Sequence, residues 1–244
     1  MDNALMIGLQ TQRVLQRRMD ISANNLANIS TSGFKADTLV TEEVDNTGAH
    51  TEDNPRDVRF VRDLFEMRDM SQGPIAATGN PLDVAIQGDG FFIVQGPAGP
   101  LYTRDGAFAI SADGHLVTSD GKDVLSQGGA PIIFDAQAGG SPTITRDGAI
   151  TMDGVEVARL GVVNFANPQA MQKVGENLWN SGGQAQRDFE GVVVQGSVEG
   201  SNVSPVLELT RLIEISRAYE SAARIVSSAD DLRQRALQRL GQVQ

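Results

Sequence analysis

The sequence contains no cysteine, which excludes disulfide bonds, thiol catalysis and zinc sites built on cysteine. Only two histidines occur, His50 and His115, so no HExxH or other paired-histidine metal motif exists. No apolar run approaches the roughly 18 to 20 residues that span a bilayer. The first residues also lack the basic start and apolar stretch of a cleaved signal peptide. The sequence therefore predicts no metal, no cofactor, no membrane insertion and no cleaved signal.

Motifs for catalysis are equally scarce. Gly88, Asp89 and Gly90 begin like a dinucleotide-binding loop, but Ile93 replaces the third glycine and the run FFIV is typical of a strand instead of a helix. There is no Walker A motif and no GxSxG elbow, and the Asp-Gly pairs lack the spacing of a calcium loop. No pair of carboxylates stands out among the acidic residues. The sequence favours a non-enzymatic protein.

The charge is acidic and unevenly distributed. The net charge is −11, and residues 36–199 carry −14 while residues 1–35 and 200–244 carry +2 and +1. An acidic body of this kind repels phosphate backbones, so we expect no binding to nucleic acid.

The C-terminal end predicts a long helix. Ser204 followed by Pro205 is a typical helix start, and neither proline nor glycine occurs again before Gly241. Steps alternating three and four residues from Leu212 land almost entirely on apolar or aromatic residues. These seam positions are Leu212, Ile215, Tyr219, Ala222, Val226, Ala229, Arg233, Ala236, Leu240 and Val243. The pattern indicates a coiled coil with a partner helix, the alternative being a helix packed on its own domain.

The N-terminal end carries a weaker seam of the same kind. Its positions are Leu5, Leu9, Gln12, Gln16, Met19, Ala23 and Leu26, of which two are glutamine. Because such a helix is poorly stable without tertiary support, we expect the two ends to pair with each other or with neighbouring chains.

The middle of the chain has a β character. Residues 36–78 are charged and predict an extended linker, whereas residues 79–200 contain short β-favouring runs separated by turn residues. Asp-Gly pairs supply the backbone conformations of tight hairpins, and TRDGAFAI (103–110) and TRDGAI (145–150) are typical of a repeated hairpin. We predict an α+β fold in which a central all-β domain (79–200) lies between an N-terminal helix (1–35) and a C-terminal coiled-coil helix (201–244), the two helices pairing as a coiled-coil-like bundle.

One motif, ANNLANISTSGFK (Ala23 to Lys35), combines a helix end with a turn. Asn24 and Asn28 lie one helical turn apart, where buried amides fix register, and Gly33 permits a turn before the apolar Phe34. The hydroxyls of residues 30–32 compete for backbone hydrogen bonds and end the helix. As interaction residues we assign Asn24, Asn25, Leu26, Asn28, Thr31, Gly33, Phe34 and Lys35, together with the apolar seam positions Leu5, Leu9, Met19, Leu212, Ile215, Tyr219, Ala222, Val226, Ala229, Ala236 and Leu240.

This motif closely resembles the N-terminal motif of flagellar basal-body rod and hook proteins. Two further blocks are similar to the same family: residues 79–95 with 102–125 to the start of its β-domain, and residues 194–220 to its C-terminal motif. The resemblance implies a structural subunit exported by the flagellar type III apparatus to a rod that spans the periplasm. It also implies helical polymerisation through paired terminal helices, with other rod and axial proteins, and with copies of itself, as partners.

Within the family, the modest length and both ends favour the proximal rod over the distal rod, and there is no room for the inserted outer domain of a hook protein. Two other classes stay open on the residues alone. One is a secreted β-rich binding module with a coiled-coil stalk, and the other is a cell-wall hydrolase.

Overall fold

The computed structural model describes residues 2–44, 60–134, 141–175 and 177–241. Two long helices occupy its ends, α1 (Asp2–Ala27) and α2 (Pro205–Gly241), and strands fill the region between them. The strands are β1 (Asp37–Val44), β2 (Phe60–Arg68), β3 (Ile75–Ala77), β4 (Val84–Gln87), β5 (Phe91–Gly96), β6 (Gly99–Thr103), β7 (Phe108–Ile110), β8 (Leu116–Thr118), β9 (Thr143–Ile144), β10 (Ala149–Met152), β11 (Val155–Arg159), β12 (Val162–Phe165), β13 (Gln172–Gly175), β14 (Leu178–Asn180), β15 (Gln186–Arg187), β16 (Val192–Gln195) and β17 (Ser197–Glu199), with one turn of 3-10 helix at Pro168–Ala170.

The chain forms two compact units. The helical unit contains α1, β1, β2 and α2, and the β unit contains residues 28–36 and 69–203. The predicted α+β class, with a terminal helix at each end and a β-rich centre, is confirmed. No helix in the described ranges is long and apolar enough to cross a membrane.

In the helical unit, α1 and α2 pack on each other and α1 also contacts β1 and β2. The two strands pair antiparallel from Asp37 opposite Arg68 to Val44 opposite Phe60. They lie within the segment that the sequence predicts as an extended linker. They contain β-branched and aromatic residues, which favour strands, interspersed with charged ones.

In the β unit, six strands form one antiparallel sheet in the order β13-β14-β6-β5-β12-β15. β5 is buried on both faces, which explains its continuous apolar run. One face contributes Phe92 and Val94 to a large core, and the other contributes Phe91 and Ile93 to a second core. The large core consists of Val84, Ile86, Phe92, Val94, Leu101, Phe108, Leu116, Val124, Ile132, Phe134, Ile144, Ile150, Met152, Leu160, Leu178 and Val193, and the second of Phe91, Ile93, Tyr102, Leu125, Phe165, Met171 and Trp179.

Four turns of the β unit share one geometry, in residues 111–115, 118–122, 126–130 and 145–149. In each, the first residue is serine or threonine, and its hydroxyl oxygen accepts a hydrogen bond from the backbone N–H of the fifth residue. The fourth residue is always a glycine with positive φ, between 78° and 85°. This conformation is inexpensive only for glycine, so the turn is encoded by the hydroxyl and the glycine together.

The repeated-hairpin prediction is right for one copy and wrong for the other. Residues 145–149 form the turn between β9 and β10, which are paired. Residues 103–107 do not form this turn, and the flanking strands β6 and β7 pair with other strands. At Gly106 a Cβ would lie 1.7 Å from the Val84 carbonyl oxygen, so this glycine serves close backbone contact instead of a hairpin.

Candidate assembly site at the terminal motifs

The two helices approach each other closely at Gly8. A Cβ placed on Gly8 would lie 2.5 Å from Cγ2 of Val226, closer than two non-bonded carbon atoms can approach. The missing side chain on α1 therefore makes room for a valine of α2. A small residue at a helix crossing allows the backbones to approach, and here it brings the two ends of the chain together in the helical unit.

On α2, the predicted seam positions from Leu212 to Ala229 are all buried or half-buried. Ala222 is buried, and Leu212, Ile215, Tyr219, Val226 and Ala229 are half-buried, whereas most of the residues between them are exposed. Arg233 is exposed, and the predictions for the Ala236 and Leu240 side chains lie outside the described side chains. The one-sided pattern agrees with the position of α1 on this face.

On α1 the covered face differs from the predicted seam. Met19 and Leu26 are half-buried, but Leu9 and Ala23 are exposed, and the Leu5 side chain lies outside the described side chains. The buried residues are Ile21, Ser22 and Asn25. The face shifts because α1 contacts the β1–β2 pair as well as α2, so a seam for a single partner helix does not describe it.

Asn25 is the amide that joins α1 to the strand after it. Its Nδ2 donates to the Asp37 carbonyl oxygen at 2.8 Å, and its Oδ1 accepts from the Asp37 N–H at 3.0 Å. The interpretation of Asn24 and Asn28 as the buried pair differs from this arrangement, since Asn24 is exposed and Asn28 half-buried. The buried amide of this subunit is thus one residue away from the predicted pair, and the interaction role of Asn24 and Asn28 stays a prediction.

The rest of the motif belongs to the β unit. The helix ends at Ala27, and the backbone N–H of Thr31 donates a hydrogen bond to the Asn28 carbonyl oxygen at 3.2 Å. Gly33 has φ +67°, and a Cβ there would lie 2.4 Å from the Asp105 nitrogen. Its N–H donates to the Glu199 carbonyl oxygen at 2.7 Å. Glycine is therefore required here by both the turn and the close contact.

Phe34 and Lys35 follow as buried anchors. Phe34 is almost fully buried, and the ammonium of Lys173 lies 4.9 Å from the centre of its ring, a cation–π distance. Directly after it, the backbone N–H of Ala36 donates to Oδ1 of Asn202 at 2.8 Å, and Nδ2 of Asn202 donates to the Asp69 carbonyl oxygen at 2.8 Å. The chain is thus held at the point where it leaves the motif.

Lys35 and Glu199 form the central contact of this region. Lys35 is 1% exposed, and its ammonium donates to Glu199 Oε1 and to the Ser71 carbonyl oxygen, both at 2.6 Å. Glu199 is fully buried and also accepts from Arg104 Nη1 at 3.1 Å and from the Gly73 N–H at 3.0 Å. One carboxylate therefore connects the N-terminal motif, the loop before β3 and the turn after β6.

Burial and charge act in opposite directions on the two cations. Removal from water lowers the pKa of Lys35, while Glu199 opposes this shift as its ion-pair partner. The pKa of Arg104 is lowered for the same reason, with the same opposition from Glu199. A buried pair of cations is tolerated only when a hydrogen-bonded anion lies between them, which is the position of Glu199.

The described residues of this region form a network of structural hydrogen bonds and ion pairs. Within the described ranges, no three residues of His, Asp or Glu are grouped so as to hold a metal ion. The buried carboxylate of Glu199 is fully engaged in structural contacts. Sequence reasoning selected Gly33, Phe34 and Lys35 but missed Glu199, Arg104 and Asn202, because their partners are remote in sequence.

Comparison with known proteins adds three family matches. Residues 5–35 match "Flagella basal body rod protein", residues 85–153 match "Flagellar hook protein FlgE/F/G D1 domain", and residues 194–239 match "Flagellar basal body rod FlgEFG protein C-terminal". The first match contains the motif that ends at Lys35, and the third contains Glu199 and most of α2.

Full-length relatives agree with these matches. The chain is 41% identical to the flagellar basal-body rod protein FlgF of Caulobacter vibrioides over 100% of both chains. It is 36% identical to the FlgF of Mesorhizobium japonicum over 99% of both chains. It is 34% identical to the flagellar basal-body rod protein FlgG of Buchnera aphidicola subsp. Baizongia pistaciae, over 93% of this chain and 95% of the relative. The chain belongs to the flagellar basal-body rod protein family.

Proposed function

We propose that this protein is a structural subunit of the proximal part of the flagellar basal-body rod. The observation that carries the proposal is the full-length match to proteins named FlgF, which is closer than the match to the protein named FlgG. The family is one of structural proteins, so the subunit acts by assembly and not by catalysis.

The terminal helices supply the surface for assembly. After α1 and α2 have packed on each other, α2 still exposes large apolar side chains, among them Val206 (71% exposed), Ile225 (63%) and Leu232 (63%). Such side chains are costly to leave in water along one helix, and burial stabilises each by about 1.5 to 3 kcal/mol before entropy costs. We propose that helices of neighbouring rod and axial subunits cover them in a coiled-coil-like bundle.

The same argument supports a coupling of folding to assembly. Helices that depend on a neighbour for burial are poorly stable in a dilute monomer. Contacts between non-equivalent surfaces that do not close into a ring produce an open helical array, which suits a shaft. We further propose that the flagellar type III apparatus exports the chain to the periplasm-spanning rod.

The test is a count of this chain in purified hook–basal bodies by quantitative mass spectrometry, relative to a membrane-ring protein. A few copies per ring support the proximal rod, and a clear excess moves the assignment to the distal rod. Absence of the chain from the particle contradicts the flagellar function altogether.

Export is tested separately, by assaying the culture supernatant of a strain with a disabled flagellar export gate. Loss of secretion in that strain, against an export-competent strain that lacks the hook, supports the proposed route. Unchanged secretion contradicts it.

A further inference from the structure

The helical unit contains a cavity that its own residues leave unfilled. It has a volume of about 310 Å³ and lies between α1, the start of β1 and the first turns of α2. Its apolar wall includes Ile21, Leu39 and Ile215. Exposed residues, among them Thr38, Arg211 and Glu214, lie at its rim, so the cavity is accessible from solvent.

Glu208 contributes a buried carboxylate to the lining of this cavity. The residue is 4% exposed although it carries a carboxylate, and its Oε1 accepts from Arg211 Nη1 at 2.7 Å. Its Oε2 is buried and has no hydrogen-bond partner among the described residues. A buried anionic oxygen without a partner costs free energy, so the isolated subunit holds an acceptor that a ligand can satisfy.

With Asp37 paired to Arg68, the other charges of the lining balance, so the preference for a cation comes from the unpartnered Oε2 of Glu208. Asp37, Glu208 and Glu214 contribute three carboxylates, whereas Arg18 and Arg211 contribute two guanidinium groups. Asp37 additionally pairs with Arg68 at 3.2 Å, and Arg211 is more than half exposed at the rim. A side chain with an apolar stem and a cationic head matches both the wall and the unpartnered oxygen.

We propose that this cavity receives a lysine or arginine side chain of a neighbouring axial subunit, whose cationic head pairs with Glu208 Oε2. The inference rests on the proposed function, because it assigns one contact of the assembled rod. It names a specific polar contact in addition to the apolar coverage of the helices. A contact of this type fixes the angular position of a subunit more strictly than apolar packing does.

The experiment uses co-expression of wild-type chain and a mass-distinguishable variant in the same cells. In Glu208→Gln, the side-chain oxygen can still accept from Arg211, but the amide NH₂ replaces the acceptor Oε2. The matched control is Glu220→Gln, which makes the same charge change at an exposed position of α2 outside the cavity. The measured quantity is the ratio of variant to wild type in hook–basal bodies, divided by the same ratio in the secreted pool.

We expect Glu208→Gln to be under-represented about tenfold or more in the particle, and Glu220→Gln to be incorporated like wild type. Equal incorporation of the two variants overturns the inference, because it shows that Glu208 Oε2 needs no cationic partner in the assembled rod. Absence of wild-type chain from the particle is a different result and contradicts the proposed function itself.

A second measurement keeps Glu208 intact in case the glutamine variant folds poorly. A benzoylphenylalanine photo-crosslinker replaces Glu214 at the rim, and crosslinked peptides from intact hook–basal bodies are identified by mass spectrometry. A crosslink to a segment of another axial subunit that contains lysine or arginine supports the inference. A crosslink only within the same chain, or to a segment without a basic residue, contradicts it.

Discussion

At the scale of single residues, the β unit depends on Glu199. Its carboxylate is shared between Lys35 and Arg104, and all three side chains are at most 3% exposed. Removal of the anion would leave two buried cations that have lost their charged partner. Breaking such a contact costs far more than breaking an exposed ion pair, since water cannot replace the lost partner.

We therefore expect Glu199→Gln to lower the free energy of unfolding of the β unit by about 3 to 5 kcal/mol. Urea unfolding followed by the fluorescence of Trp179, the only tryptophan, measures the change. Glu190→Gln, at an exposed position, is the control and should change the free energy by less than about 0.5 kcal/mol. Equal midpoints for the two variants would show that Glu199 contributes no more than a surface carboxylate.

Asp105 provides a test of pH dependence. Burial raises the pKa of Asp105 above its usual range, and the carboxylates of Asp120 and Asp83 add to the shift. The folded protein consequently holds a proton that the unfolded chain has already released. Stability should fall as the pH rises from about 4 through the folded-state pKa.

Asp105→Asn removes this effect while its side-chain oxygen still accepts from the Ala107 N–H, a bond of 3.1 Å in the wild type. We expect the variant to be more stable than wild type at pH 7 and the advantage to disappear near pH 4. Thermal unfolding across this pH range measures it, with the exposed Asp113→Asn as control. An advantage that stays constant with pH would exclude titration of Asp105 as its cause.

Residue-scale prediction from sequence succeeded where the partner is the local backbone and failed where it is distant. The turn at Gly33 follows from the local order of hydroxyl residues, glycine and phenylalanine. The pairing of Lys35 with Glu199 joins residues 164 positions apart, and no local pattern records such a contact. The same limit applies to Gly106, whose neighbour Val84 comes from another strand.

At the scale of elements, the two helices differ in how well their sequence describes their surroundings. From Leu212 to Ala229 the seam of α2 follows its covered face, because one partner helix covers one narrow face. The covered face of α1 is broader, since β1 and β2 also contact it. Within this subunit a 3-4 repeat therefore matches the covered face of α2 more closely than that of α1. The charged residues within β1 and β2 are likewise the reason that the sequence pattern indicates a linker there and not a strand pair.

Gly8 offers a direct test of the helix pair. In Gly8→Leu, the new side chain would occupy the space of Val226, so we expect a loss of about 1 to 3 kcal/mol in the stability of the helical unit. Circular dichroism at 222 nm during urea unfolding measures it. Gln10→Leu adds the same side chain at an exposed position of α1 and should be nearly neutral. Adding Val226→Ala to Gly8→Leu should recover part of the loss, and no recovery would place the clash elsewhere.

At the scale of the whole molecule, the two units differ in how they are stabilised. The β unit contains two apolar cores and the buried charge cluster, whereas α2 in the helical unit exposes many of its large apolar side chains. Regions with few buried apolar contacts open at lower free energy than well-packed cores. The α+β class was predictable because terminal 3-4 repeats and central turn residues are local signals, whereas the strand order required contacts between distant segments.

We therefore expect two separate unfolding transitions in the monomer. Helical circular dichroism should decrease at a lower urea concentration than the fluorescence of Trp179, which lies almost fully buried in the second core of the β unit. Both signals are recorded on the same samples. Coincident transitions would show that the chain unfolds as a single cooperative body and would contradict the idea that the helices gain their stability on assembly.

The contact of Lys35 with Glu199 also delays the folding of the β unit during synthesis. Lys35 is synthesised before its partner, which follows 164 positions later. At roughly 5 to 20 residues per second, the ribosome delivers that partner roughly 8 to 30 s afterwards. During this interval the nascent β unit lacks its last strands and cannot close. Until then this unit stays unfolded, which is the state that the proposed export route requires.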